Sequence, residues 1–379
     1  MADPVWFWQR IVSPHMAGLA AALAASGRAV TYVAEREMSA DRAAQGWQAP
    51  DLGGAALRIA STPDAIGEAV RAAPANSIHI CQGFRGNGLV GAARQALATR
   101  KLRQWVIMET VEDSGWRGIF KRLEYNRLTW QWRHRIEGVL ATGHATPQWL
   151  INCGIDADRV FPFAYFLPER LARHALHFDP DAPFRFLFVG RLIELKQLDL
   201  LLNALATIAD RTFQLTVVGS GPLEDKLQAL ADQQLPGRVH WLGGRPMDEI
   251  PTLMAGADRL VLPSRYDGWG AVVSEALMVG TPAICSDACG AAGVAQASGA
   301  GGVFRAGDAQ ALAALLRQAL ARGRQAPERR ARLADWARCL GAKAGAQYLD
   351  VILGHTRDNG GRPTPPWQRR ASVMTDMVK

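Results

Sequence analysis

Phe184-Arg185-Phe186-Leu187-Phe188-Val189 runs into Gly190-Arg191-Leu192, and Lys196 opens an amphipathic stretch that reaches Ala209. An apolar run, a glycine turn and then helical periodicity read as one strand-turn-helix unit. In an open parallel sheet ligands gather beyond the carboxyl ends of the strands, where Arg191 and Lys196 both fall. A planar guanidinium fork and a compact ammonium suit the oxygens of a diphosphate. Two surface cations on an empty loop are the competing reading.

A second unit of this kind follows. Ala257 to Ser264 reads as a short strand, Arg265-Tyr266-Asp267-Gly268-Trp269-Gly270 as a turn, and Ala271-Val272-Val273-Ser274-Glu275-Ala276-Leu277 as a helix. Gly268 and Gly270 let backbone approach a ligand closely, and the amides of a helix start favour phosphate. Glu275 lies more than one turn into the helix, where it can accept from ribose hydroxyls, and Asp267 can reach a sugar hydroxyl from the turn. Taken singly, Asp267 reads first as a helix N-terminal acid and Glu275 as a solvated helix residue.

The ordered set resembles the C-terminal half of retaining glycosyltransferases of GT-B architecture, which share a Glu-x7-Glu signature. It comprises Val189-Gly190-Arg191, Lys196, Leu215 to Pro222, Val239 to Gly243, Leu262-Pro263-Ser264, Glu275-Ala276-Leu277 and Gly280 to Ile284. The resemblance implies that Arg191 and Lys196 hold the donor diphosphate, that Glu275 holds the ribose and that Asp267 touches the transferred sugar. Gly190, Gly219, Gly243, Gly268, Trp269 and Gly270 become donor-binding positions. Asp267 stands where the family has Glu, so its reach is one methylene shorter. A UDP- or GDP-sugar donor, no further cofactor, no metal and a glycan or glycolipid acceptor are expected, in synthesis of cell-surface polysaccharide or lipopolysaccharide. A nucleotide-sugar epimerase would use the same clamp without an acceptor surface. A scaffold without activity would be expected to lose Arg191, Lys196 and Glu275, and all three are present.

The implied architecture is α/β, with two doubly wound parallel-sheet (Rossmann-like) domains facing across a cleft. A chain of 379 residues exceeds one ordinary core. We read 1–167 as an acceptor-binding domain, 168–183 as a hinge and 184–325 as the donor domain. A helix over 326–354 is expected to cross back to the first domain, and 355–379 to form a flexible tail. The scattered Cys81, Cys153, Cys285, Cys289 and Cys339 argue against a disulfide framework. No apolar run approaches a transmembrane length and no secretory leader pattern opens the chain, so a cytoplasmic location is expected.

The first half carries less chemistry. Strands are expected at Val5 to Trp8, Arg28 to Val33, Leu57 to Ile59, Ser77 to Ile80, Gln104 to Met108, Gly138 to Thr142 and Arg159 to Pro162. After the first strand the chain has Val12-Ser13-Pro14-His15 where the family commonly has a glycine-rich turn. His15 is either a hydroxyl or phosphate ligand or a helix-capping or core histidine. Glu109 stands where the family often has histidine, and reads as an acceptor of substrate hydroxyls or as a loop acid. Between Trp116 and Arg135, Arg117, Lys121, Arg122, Arg127, Arg133 and Arg135 interleave with Trp116, Phe120, Tyr125, Trp130 and Trp132. With a formal charge of +8, this suits docking on an anionic membrane surface, peripheral to its cytoplasmic face. A helix pair with core aromatics and solvated cations is the alternative. No nucleic-acid module accompanies the patch, so nucleic acid is not an expected partner.

Overall fold

Continuous apolar runs bounded by glycine and proline become parallel strands buried on both faces. The computed structural model describes residues 2–38, 50–168, 182–208, 211–355 and 361–369. The chain divides into two units, Met1–Pro168 with Gly341–Pro365, and Glu169–Leu340 with Pro366–Lys379. The first unit contains β1 (Val5–Ile11), β2 (Val30–Arg36), β3 (Ala56–Ile59), β4 (Ile78–Gln82), β5 (Arg103–Glu109), β6 (Gly138–Thr142) and β7 (Val160–Phe163). They pair in parallel in the order β3-β2-β1-β4-β5-β6-β7. The second unit contains β8 (Phe184–Val189), β9 (Phe213–Val218), β10 (Val239–Trp241), β11 (Arg259–Leu262), β12 (Ala283–Ser286) and β13 (Gly302–Phe304), in the order β10-β9-β8-β11-β12-β13. Strand order reverses between β1 and β4 and again between β8 and β11. Those two switch points are where a doubly wound sheet opens a ligand crevice.

Local chemistry explains the elements. Ser13 caps the helix Pro14–Ala25 by accepting from the Met16 amide at 3.3 Å, and Pro14 fills a first-turn position where its missing N–H costs nothing. In β8, Phe184, Phe186 and Phe188 share one core with Leu201, Leu205 and Phe213. Leu187 and Val189 are buried on the other face. Asp258, just before β11, accepts from the Arg185 amide at 2.8 Å and from Arg324 Nε at 3.2 Å, which ties the starts of β8 and β11 together.

Several expectations shift. The run from Lys196 is interrupted: Glu194–Lys196 is a 3-10 turn, Gln197 is left-handed at φ 48°, and the helix is Leu198–Ala206. A non-glycine residue at positive φ turns the chain sharply enough to end one helix and start another. The helix expected over 326–354 is two, Pro327–Ala337 and Ala342–Gly354, separated by a 3-10 turn at Arg338–Leu340. Only the second of them belongs to the first unit, where it packs on Pro14–Ala25. The Ala-Gly-rich stretch 288–302 contains the helix Ala292–Ala297 and leads into β13. Within the expected tail, Pro366–Arg369 is helical and Trp367 is buried. Most of the expected hinge, 169–181, lies outside the described residues.

A buried histidine gives the first unit a pH dependence. His79 has no exposed surface, its Nδ1 accepts from Trp8 Nε1 at 3.0 Å, and its Nε2 lies 2.8 Å from Ser77 Oγ. The Ser77 hydroxyl donates to the Pro74 carbonyl at 2.6 Å, so Nε2 carries the proton and Nδ1 stays bare. Burial, reinforced by the Arg100 charge, lowers the His79 pKa from 6.5 to about 3. The unfolded chain therefore binds a proton that the fold excludes. This contribution to stability is intact above pH 6.5 and is lost progressively as the pH falls from 6.5 toward 3. At pH 5 the loss amounts to about 2 kcal/mol relative to pH 8. Urea midpoints at the two pH values measure it, and His79→Gln should flatten the difference.

Candidate functional site

Five loops, those after β8, β9, β10, β11 and β12, meet at the carboxyl ends of the second sheet. The Gly190 amide donates to Val218 O at 2.9 Å, the Leu192 amide to Ser220 O at 2.9 Å, and the Gly219 amide to Gly243 O at 2.8 Å. A Cβ at Gly219, where φ is +136°, would lie 1.9 Å from Gly190 O, so only glycine lets these backbones touch. The Arg265 amide donates to Leu195 O at 2.9 Å, which fastens the turn after β11 to the one after β8. A parallel bridge joins Asp267 to Cys289, and a Cβ at Gly290 would lie 2.1 Å from Gly268 O.

This weave brings Lys196 and Asp267, 71 residues apart, to a 2.5 Å ion pair whose side chains are 20% and 16% exposed. Arg191 is exposed on the same loop as Lys196, next to Gly190. Gly270 is the N-cap of the helix Ala271–Met278, with φ 82°, and Glu275 is half-buried on that helix. The amino end of the helix, one carboxylate and two cations thus border one end of the sheet. Trp269, expected as a donor-binding position, lies in the turn between Asp267 and Gly270. It is 4% exposed, and its indole donates to Ser274 Oγ at 3.3 Å beneath the turn. Its carbonyl accepts from the Ala291 amide at 2.6 Å. The side chain therefore supports the turn from within. Below the bridge, the hydrogen bond that the Cys289 thiol makes to Cys285, together with burial, raises that thiol well above its usual pKa, so it stays protonated. All five cysteines are free and buried.

The first unit brings its two candidates together through a residue that sequence reasoning missed. His15 follows β1 and Glu109 ends β5. Tyr165, just beyond β7, stacks on the His15 ring with centroids 4.7 Å apart and planes 14° apart. Its hydroxyl donates to Glu109 Oε1. Tyr165 follows Phe163-Ala164 with no motif around it, so spacing alone gave no signal.

In the helix Gly115–Trp132 the aromatics divide. Tyr125 and Trp132 belong to the core with Val106, Met108 and Val139, which corrects the reading of the whole stretch as one surface. Arg94, buried against the Trp132 ring at 3.9 Å, supports them from below. Trp116, Phe120 and Trp130 are 68%, 64% and 66% exposed. Among the described residues no helix is long and apolar enough to cross a membrane.

Two Rossmann-like parallel-sheet units of this topology define the GT-B class of fold. HepE of Anabaena, solved in complex with UDP, superposes with a TM-score of 0.71 at 16% identity, covering 92% of this chain and 99% of that one. The lipopolysaccharide outer core galactosyltransferase WaaB, solved without ligand, gives 0.68 at 15% identity, covering 92% and 98%. Within that fold, residues 173–338, which fall in the second unit, match the model of the family glycosyl transferases group 1. The amylovoran biosynthesis glycosyltransferase AmsK of Erwinia amylovora is 35% identical over 153 residues, which are 38% of this chain and 37% of AmsK. The chain thus matches little more than a third of that relative's length.

Proposed function

We propose that this protein transfers a sugar from a nucleoside-diphosphate-sugar to a glycan or lipid-linked acceptor at the cytoplasmic face of an anionic membrane, in cell-surface polysaccharide or lipopolysaccharide synthesis. The observation that carries the reading is the Lys196–Asp267 pair held beside Arg191 where the strand order reverses. UDP bound to HepE, and the synthetic roles named for AmsK and WaaB, support the donor and pathway class.

In this reading Arg191 and Lys196 bind the diphosphate, Glu275 binds the ribose and Asp267 orients the sugar. As the glycosidic bond breaks, negative charge accumulates on the leaving diphosphate and positive charge on the sugar. Preorganised cations lower that barrier because they need no reorientation as the charge develops. Asp267 neutralises Lys196 before substrate arrives, which keeps the ammonium in place. The transfer proceeds with retention: the acceptor hydroxyl attacks the face from which the diphosphate departs and passes its proton to a diphosphate oxygen. The two cations take the role of a metal. On the first unit, Tyr165 holds Glu109 and His15 in one constellation suited to acceptor hydroxyls.

A thermal-shift screen with UDP, GDP and their sugars tests the donor. A nucleotide at 100 times its Kd stabilises the chain by about 2.7 kcal/mol. No shift with any nucleoside diphosphate would remove the proposal. Breakdown or isomerisation of the donor at an undiminished rate without any acceptor would favour an epimerase instead.

A further inference from the structure

The helix Gly115–Trp132 carries an apolar stripe on its solvent side. Ile119 and Leu123 are each 60% exposed and join Trp116, Phe120 and Trp130. Their spacing, i, i+3, i+4, i+7 and i+14, places all five within a band about 100° wide. A helix of a water-soluble surface has charged residues on this side; here the apolar side lies outward and Tyr125 and Trp132 face the core. Arg127 lies within the band and is exposed, and Arg133 and Arg135 follow the helix. Lys121 and Arg122 are already neutralised by Glu112 and Asp113 at 2.9 and 2.7 Å. Among the described residues no ion pair engages Arg127, Arg133 or Arg135. The Arg133 guanidinium lies 6.0 Å from the Trp130 ring centroid, which sets a cation beside an aromatic at the edge of the stripe.

We infer that this helix inserts its apolar stripe into an anionic bilayer, lying parallel to the surface, with Arg127, Arg133 and Arg135 on lipid phosphates. Charge decides between occupants. A second copy of this chain, also of charge +8, would bring like-charged stripes together, whereas an anionic lipid surface complements them. Insertion is a stronger claim than surface attraction, because side chains buried among acyl chains stay bound when salt screens the arginines. It deepens the proposed lipid-side acceptor and rests on that reading for its purpose, but its measurement does not involve sugar transfer.

Co-sedimentation of the full chain with phosphatidylcholine vesicles, with and without phosphatidylglycerol, tests it. The protein should pellet with the anionic vesicles, retain part of its binding in high salt, and not be displaced by inorganic phosphate. The triple variant Phe120→Ser/Leu123→Ser/Trp130→Ser should lose the salt-resistant part. Arg127→Glu should weaken binding at low salt about 10-fold. All four positions are exposed, so the variants should keep the parent's unfolding midpoint, and UDP stabilisation should be unchanged in each. Binding abolished entirely by salt, a triple variant that binds like the parent, or a dimer dispersed by the triple variant would overturn insertion. None of these results would touch the donor assignment.

Discussion

Lys196→Ala should lower the rate of sugar transfer by about 100-fold or more, the scale for losing one preorganised donor to developing charge. The side chain has two duties. It is the partner of Asp267 at 2.5 Å, and in the proposed mechanism it meets the leaving diphosphate. Its removal leaves a partly buried carboxylate without that cation, facing the place where another anion must bind. Nucleotide affinity should therefore fall along with turnover. Lys196→Arg keeps the charge but not the compact point donor, so it should recover only part of the rate. Steady-state kinetics with the donor found by the nucleotide screen measure both. A Lys196→Ala protein that keeps most of its transfer rate would remove Lys196 from the chemistry.

Asp258→Ala should cost about 3–5 kcal/mol, the range for deleting one partner of a buried ion pair. Asp258 is 7% exposed, it accepts from the Arg185 amide at 2.8 Å, and the Arg324 side chain paired with it is itself almost buried. Arg324 also donates to the Ala182 and Pro183 carbonyls at 2.6 Å, so one cluster fixes the entry to β8. Without the carboxylate, the guanidinium keeps its carbonyls but loses its counter-charge in a site with little water. Urea unfolding measures the loss. A midpoint unchanged within error would show that the pair contributes nothing.

The strands were legible because burial on both faces writes itself as uninterrupted apolar runs: Phe184 to Val189 and Gly138 to Thr142 appear with the bounds read from the sequence. The site was legible where chemistry is local, as in the glycine turn before the helix that carries Glu275. It was not legible where contacts span distance. The Lys196–Asp267 pair depends on a β8 loop fastened to a β11 loop, and Tyr165 meets Glu109 across 56 residues. The helix Gly115–Trp132 shows a further limit. Composition gives aromatic and basic residues together, but which aromatics face the core depends on packing against Val106, Met108 and Val139, and that sorted Tyr125 and Trp132 inward. Trp269, a ligand candidate by position, is buried for the same reason: its turn needs a floor.

A crystal structure of the chain with UDP or GDP tests the central claim most directly. The diphosphate should lie within hydrogen-bonding distance of Arg191 and Lys196, with the ribose on Glu275. A nucleotide bound elsewhere, away from both cations, would contradict it.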